Sequence, residues 1–311
     1  MMVEFLYKVN FYGDCGIIIC EFFKGDLYLE NLCEISVIKN ILKKYGFNFS
    51  KSLGQNFIIN SSICPRMAES CSNVFDSGIL EIGPGIGTLT LELAKRFKKV
   101  VSVEIDRKLI PILSETTNNY SNIKVINKDI LKINLKKLWK EEFLENKEVH
   151  VCANLPYYIT SDIIMYILEN NPGFSSITVM VQKEAAERIC AMPGTRNSGA
   201  ISLAVRFYGT PEILFNVGRN SFMPAPNVDS SVIKICMNNM TSQQVKSKSS
   251  FFRVIKSAYA QRRKNILNSL SSGLKMPKDE IKTMLLNLGI DFNKRAEQLT
   301  LENFIDISNV L

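Results

Sequence analysis

Two short strings in this chain combine residue types and spacing that suit chemistry: Glu81-Ile82-Gly83-Pro84-Gly85-Ile86-Gly87 and, some seventy residues on, Asn154-Leu155-Pro156-Tyr157. The glycines follow the apolar run Gly78-Ile79-Leu80 and precede Thr88 to Phe97, where Leu89, Leu91, Leu93 and Ala94 recur among charges as they would on a helix. Strand, glycine turn and helix form the opening of a nucleotide-binding βαβ unit, in which glycines let the backbone approach a ligand that faces the helix N-terminus. Val100 to Asp106 then reads as a second buried strand ending in acid, with Glu104 at the spacing from Gly83 where a carboxylate meets ribose hydroxyls. A dinucleotide fingerprint, G-x-G-x-x-G, would need glycine at position 88, where Thr88 stands. A pyrophosphate cofactor uses that glycine for close helix packing. S-adenosylmethionine has no phosphate and asks only for the tight turn and the ribose acid, so the string favours a methyl donor over NAD. The bland alternative is a strand-to-helix turn without a ligand.

Ile123 to Ile126 reads as another buried strand, with Asp129 just past its carboxyl end, where ligands of open α/β sheets lie. Asp129 is a candidate acceptor for the cofactor's adenine amino group; the competing reading is a cap or turn residue. Val149 to Ala153 is a fourth apolar run, so Asn154 falls at a strand end on the same side. Adenine N6 is a poor nucleophile because its lone pair is delocalised into the ring. Acceptors that hold its hydrogens let the lone pair turn toward an incoming methyl. The Asn154 side-chain carbonyl and the Leu155 backbone carbonyl are two such acceptors, Pro156 stiffens the turn, and Tyr157 offers a ring for base stacking. A base inside a duplex cannot reach such a pocket, so the target is single-stranded or flipped out. Alone, Asn-Leu-Pro-Tyr is a turn leaving a strand; one strand after an adenosyl site it points to methyl transfer onto a nucleobase.

The elements that position these strings are a mostly parallel sheet flanked by helices, an α/β Rossmann-like fold, followed by a small helical domain. The expected limits are an extension with a lead-in helix over residues 1–46, a methyltransferase domain over 47–236, a polar linker over 237–250 and a helical RNA-binding domain over 251–311. Helix breaks are expected at Gly273, Pro277 and Gly289. The 311 residues carry a formal charge of +8. Between Ser230 and Lys278 there is no acidic residue and there are ten basic ones, more than the whole surplus. Arg253, Lys256, Arg262, Arg263 and Lys264 there surround an apolar stripe of Phe251, Val254, Ile255 and Ala258, a pattern that suits phosphate contacts; a solvated lysine-rich helix is the alternative. A smaller acid-free run from Ile35 to Ala68, with Lys39, Lys43 and Lys44, adds to the basic surface. Eight cysteines without C-x-x-C pairing and a single histidine, His150, argue against a zinc site and for a reducing compartment. Gly16 to Cys20 is too brief for a membrane span, and the acids of the first thirty residues argue against a transit peptide. No membrane, no metal and a cytoplasmic monomer are therefore expected.

Six ordered blocks carry a family resemblance: Lys51 to Phe57, Glu81 to Gly87, Asn154 to Tyr158, Gln182-Lys183-Glu184, Phe222 to Ser230 and Gln261 to Lys264. With them the chain resembles the ribosomal RNA adenine N6,N6-dimethyltransferases, most closely the group that dimethylates two adjacent adenosines near the 3′ end of small-subunit rRNA. The resemblance implies a class I methyltransferase sheet whose last strand, near Ser231 to Cys236, is antiparallel, with the small-subunit rRNA and the small-subunit precursor as partners. It implies that Asn56 and Ile58 belong to a cofactor lid, that Gly83, Gly85, Glu104, Asp129 and Asn154 contact S-adenosylmethionine, that Asn154, Leu155 and Tyr157 hold the target base, and that Phe222 forms a second wall of its pocket. Phe222 reads equally well as a core aromatic. Family members begin nearer Leu32, which leaves an extension or an early start codon as readings of what precedes it. Three rivals remain: a large-subunit rRNA adenine methyltransferase conferring macrolide resistance, a non-catalytic nucleic-acid factor of the same fold, and a DNA adenine methyltransferase.

Overall fold

The computed structural model describes residues 31–49, 54–238, 240–261 and 263–311. Most of the N-terminal extension, the Lys51-Ser52-Leu53 part of the first block and Arg262 of the basic group lie outside them. The strands are β1 (Phe57–Ile58), β2 (Gly78–Ile82), β3 (Lys99–Glu104), β4 (Ile123–Asn127), β5 (Val149–Asn154), β6 (Ser176–Gln182), β7 (Gly209–Val217), β8 (Phe222–Met223) and β9 (Ser230–Met237). The helices are α1 (Ile35–Lys44), α2 (Ile63–Cys71), α3 (Thr88–Ala94), α4 (Ile110–Thr116), α5 (Leu135–Glu142), α6 (Thr160–Glu169), α7 (Lys183–Cys190), α8 (Ala200–Tyr208), α9 (Met240–Gln244), α10 (Lys248–Tyr259), α11 (Ile266–Leu274), α12 (Lys278–Asn287) and α13 (Leu301–Asn309).

Seven strands form one sheet in the order β4-β3-β2-β5-β6-β9-β7. The first five in that order run parallel, and β9 is antiparallel to both of its neighbours, so the antiparallel strand lies inside the sheet. The apolar runs are continuous because both faces of the sheet are covered. Leu80, Val101, Val151 and Val179 meet α5, α6 and α7 on one face, while Ile79, Val100, Cys152 and Met180 meet α2 and α3 on the other. Successive strand residues thus divide between two cores with a period of two. A two-stranded sheet, β1 with β8, ties the segment before α2 to the proline-rich turn, pairing Phe57 with Met223 and Ile58 with Phe222. The lead-in helix α1 packs through Val37, Ile38 and Ile41 on Ile86, Leu109 and Ile112 beside the glycine turn.

The C-terminal helices share a core of Phe251, Val254, Ile255, Leu270, Leu285 and Phe304 that also takes Leu203 and Phe207 from α8. The polar stretch expected to be a linker contains α9 and the first residues of α10. It folds because Ser247 accepts from the Ser250 N–H at 3.2 Å and caps α10, and because Thr241 is buried. Two of the three expected helix breaks are where the sequence places them: Pro277 precedes α12, and Gly289 follows it with φ +68°. The third is not. Gly273 lies inside α11, which ends two residues later with Lys275 at φ +57°. Its glycine serves close helix packing instead, since a Cβ there would sit 2.4 Å from Ser257 Cβ and 2.7 Å from Ser257 Cα on α10. Gly273→Ala is therefore expected to push α10 and α11 apart and to lower unfolding stability by about 1–3 kcal/mol, read as a reduced urea midpoint with an unchanged slope.

Candidate active site

Neighbouring parallel strands bring the two chemical strings together. Ile82 at the end of β2 pairs with Ala153 on β5 and with Val103 on β3, so the glycine turn, Asn154 and Glu104 leave the sheet side by side at its carboxyl edge. They open onto one cleft, lined by Gly54 to Ile58, Gly83 to Ile86, Glu104, Ile105 and Asn154 to Tyr157 among others. Gly83 and Gly85 adopt φ +68° and +63°, left-handed conformations that favour glycine. Gly85 also lies under the Phe57 ring, which a Cβ would approach to 3.3 Å. Its N–H donates to Glu104 Oε2 at 3.2 Å, and the Asp106 N–H donates to Glu104 Oε1 at 2.8 Å. Burial raises the Glu104 pKa, and these two donors oppose the shift. Each oxygen keeps a further lone pair for hydroxyl donors.

The segment expected to form a lid is latched to the same edge. Gln55 Nε2 donates to Asp106 Oδ2 at 2.8 Å, and Asn154 Nδ2 donates to the Asn56 carbonyl at 3.2 Å. That second bond fixes the Asn154 amide, because only its NH₂ end can donate to a carbonyl; Oδ1 is left without a partner among the described residues. The Leu155 N–H donates to the Met180 carbonyl at 3.1 Å and pins the turn. Tyr157 begins a one-turn 3₁₀ helix and is tied back by a 2.7 Å hydrogen bond between its hydroxyl and Ser230 Oγ on β9. Partial burial raises its pKa, so the phenol stays protonated through the physiological range.

These features fit an adenosyl donor: a carboxylate for ribose hydroxyls, the half-exposed apolar side chain of Ile105 beside it, and a glycine turn followed by Thr88 where a dinucleotide fingerprint needs glycine. The comparisons agree. The profile of the ribosomal RNA adenine dimethylase family matches residues 46–311. The chain belongs to this family. It is 45% identical over 276 residues to the ribosomal RNA small subunit methyltransferase A of Bacillus mycoides, covering 88% of this chain and 94% of that one, and 44% identical with the same coverage to the Bacillus cereus protein of that name. Among solved structures it is similar to a dimethyladenosine transferase from Plasmodium falciparum, with TM-score 0.66 and 25% identity over 81% of this chain and 95% of that one. It is also similar to the 23S rRNA methyltransferase ErmE, with TM-score 0.62 and 25% identity over 81% and 98%. The fold is that of the class I methyltransferases, and the cofactor is S-adenosylmethionine.

Within this dimethylase, Asn56, Ile58, Gly83, Gly85, Glu104, Asn154, Leu155 and Tyr157 all line the cleft. Two predicted residues do not. Asp129 caps a 3₁₀ turn, accepting from the Leu131 N–H at 3.0 Å, with Lys132 Nζ 3.8 Å from its other oxygen. Phe222 is 3% exposed and packs with Ile58, Met67 and Val232, so its burial supports the core-aromatic reading. Arg253 and Lys256 are exposed on α10, and Arg263 and Lys264 are exposed in the turn before α11, none in an ion pair with a described residue. His150 is a core group, with Nδ1 2.9 Å from Ser176 Oγ and a pKa lowered by burial. Among the described residues no cluster of three or more His, Cys, Asp or Glu side chains is placed to hold a metal, and no helix is long and apolar enough to cross a membrane.

Sequence reading passed over Gln55, Ile105 and Ser230. Ile105 had a signal, an apolar residue between two acids at a strand end; Ser230 had none, because its partner lies 73 positions away. Glu81 was read only as the start of the glycine string. It is fully buried in the sheet, with Oε2 accepting from Ser102 at 2.6 Å and Oε1 without a hydrogen-bond partner among the described residues, and burial raises its pKa to about 7. The folded state therefore holds this proton more tightly than the unfolded chain, and stability falls as pH rises from the ordinary glutamate value toward 7. Glu81→Gln removes that dependence. Relative to the parent, it is expected to gain about 3 kcal/mol more in urea unfolding at pH 8 than at pH 4, where both states of the parent are protonated.

Proposed function

We propose that this enzyme transfers methyl groups from S-adenosylmethionine to N6 of two adjacent adenosines near the 3′ end of small-subunit rRNA, dimethylating each. The observation that carries this reading is the oriented Asn154 amide, whose free Oδ1 lines the same cleft as the Gly83 to Gly87 turn. Relatives that share 44–45% of their residues over 94% of their length are named for the small subunit, which favours that substrate over large-subunit RNA. When bound, the cofactor supplies an electrophilic methyl on a sulfonium centre. Asn154 Oδ1 and the Leu155 carbonyl accept the two amine hydrogens of the flipped-out adenine and turn its lone pair toward that methyl. Tyr157, held by Ser230, presents its ring to the base. Glu104 and the glycine turn fix the donor, so alignment supplies most of the acceleration. After attack the cationic N6, far more acidic than the neutral amine, gives its proton to water, so the reaction requires no strong general base. In this reading the protein works as a cytoplasmic monomer without a metal, on a precursor of the small subunit.

The exposed face of α10 and the turn after it supply phosphate contacts through Arg253, Lys256, Arg263 and Lys264. Replacing Arg253 and Lys256 together by alanine is expected to weaken RNA binding and to reduce the slope of log affinity against log salt by about one to two, leaving cofactor affinity unchanged. The central test is transfer of labelled methyl groups to unmethylated small-subunit RNA, with the modified positions mapped by primer extension. Asn154→Ala is expected to lower turnover by about a hundredfold or more while the dissociation constant for S-adenosylmethionine changes far less. Comparable turnover in the variant, or labels confined to large-subunit RNA, rejects the assignment.

A further inference from the structure

Tyr158, the residue after the base-holding tyrosine, has no part in the cleft. It is 61% exposed, and the lining that includes Asn154 to Tyr157 stops short of it. Tyr157 and Tyr158 are consecutive in a 3₁₀ turn, where each residue rotates by about a third of a turn, so their side chains diverge. Tyr157 goes inward to Ser230, and Tyr158 goes outward to the lid. Its ring rests on the backbone of Gly54: a Cβ built there would lie 3.5 Å from Tyr158 Cδ1, 3.6 Å from Cε1 and 3.7 Å from Pro156 Cβ. Gly54 has φ +60°, and Pro156 cannot turn about its own φ, so the seat under the ring is stiff. The result is a flat aromatic side chain held at the mouth of the cleft with most of its surface in water.

We propose that Tyr158 is a second base platform, on which the nucleobase adjacent to the target stacks while the target occupies the cleft. The inference rests on the reading of the substrate as two neighbouring adenosines. When one adenosine swings into the cleft, its neighbour loses a stacking partner at the mouth, where the next nucleotide must lie. An aromatic face there replaces that partner regardless of base identity, because stacking uses the π-face. The neighbour that stacks on Tyr158 in one round is the target of the other, so the residue is a positioning group for the pair and touches no reacting atom.

The experiment uses the full-length protein, its Tyr158→Phe and Tyr158→Ala variants, and unmethylated small ribosomal subunits, with methylation at each adenosine followed by primer extension. Cofactor affinity is measured in parallel by calorimetry, and stacking by the fluorescence of 2-aminopurine placed beside the target in a hairpin RNA. Tyr158→Phe is expected to keep rate and quenching. Tyr158→Ala is expected to lower kcat/KM for RNA by at least about fivefold and to lose the quenching, with cofactor affinity unchanged. Full rate and full quenching in Tyr158→Ala overturn the proposal. So does a fall in cofactor affinity that matches the fall in rate, which would make the ring part of the lid. Failure of the unsubstituted protein to methylate either adenosine removes the substrate reading itself, and with it the inference, and is told apart because it appears before any substitution is made.

Discussion

The in-register parallel pairing of β2 with β3 on one side and β5 on the other is the constraint on which the site depends. Adjacent strands lie about 4.8 Å apart, so three consecutive strand ends deliver a glycine turn, a carboxylate and an amide within the span of one bound nucleoside and its target. A slip of one residue in either pairing would turn Leu80 and Val151 toward the opposite core. The two buried faces therefore hold the register, and the register places the chemistry. Packing and function are coupled here through geometry and also through Leu155, whose side chain is buried in the core beneath the turn.

Two buried carboxyl groups near this edge find different hydrogen-bond partners. Glu81 points into the sheet interior, where one hydroxyl donor does not compensate for burial and the acid is held near neutrality. Glu104, one strand over and at the cleft wall, receives two backbone N–H groups. Backbone donors thus oppose the effect of burial on Glu104 at the cleft wall, while Glu81, in the apolar layer behind the glycine turn, holds its proton up to about pH 7. The same backbone bonds that moderate the Glu104 pKa fix the shape of the turn, so Gly85 links conformation to electrostatics in a single hydrogen bond.

The C-terminal helices do not hang from the sheet by a linker. Leu203 and Phe207 of α8 enter their core, which places α10, with its basic outer face, on a helix that itself belongs to the sheet's flanking layer. The segment carrying Asn56 is joined in a comparable way to two places, to the catalytic turn through the Asn154 amide and to the proline-rich turn through the pairing of β1 with β8. The basic face of α10, the Asn154 turn and the segment that carries Asn56 are consequently all referred to one frame.

Periodicity identified four of the five parallel strands, β2 to β5, and the helix after the glycines, because apolar runs report themselves in local spacing; it passed over β6, and β4, expected to be buried, is a half-exposed edge strand. The donor type was also legible, in the absence of glycine at 88 and the spacing of Glu104. Other assignments depended on distant partners. Phe222 and Asp129 carry the right residue types, but Phe222 is buried in the core between β8 and α2 and Asp129 caps a local turn, and local spacing shows neither. Gly273 reads as a helix break until α10 is laid against it. The orientation of the Asn154 amide and the tether on Tyr157 come from residues 98 and 73 positions away. Sequence by itself determined the strand ends and the chemical types gathered there. Which of those side chains face the cleft, and which way they point, was decided only by tertiary contacts, because hydrogen-bond direction and burial belong to pairs of residues and a local pattern records one member at a time.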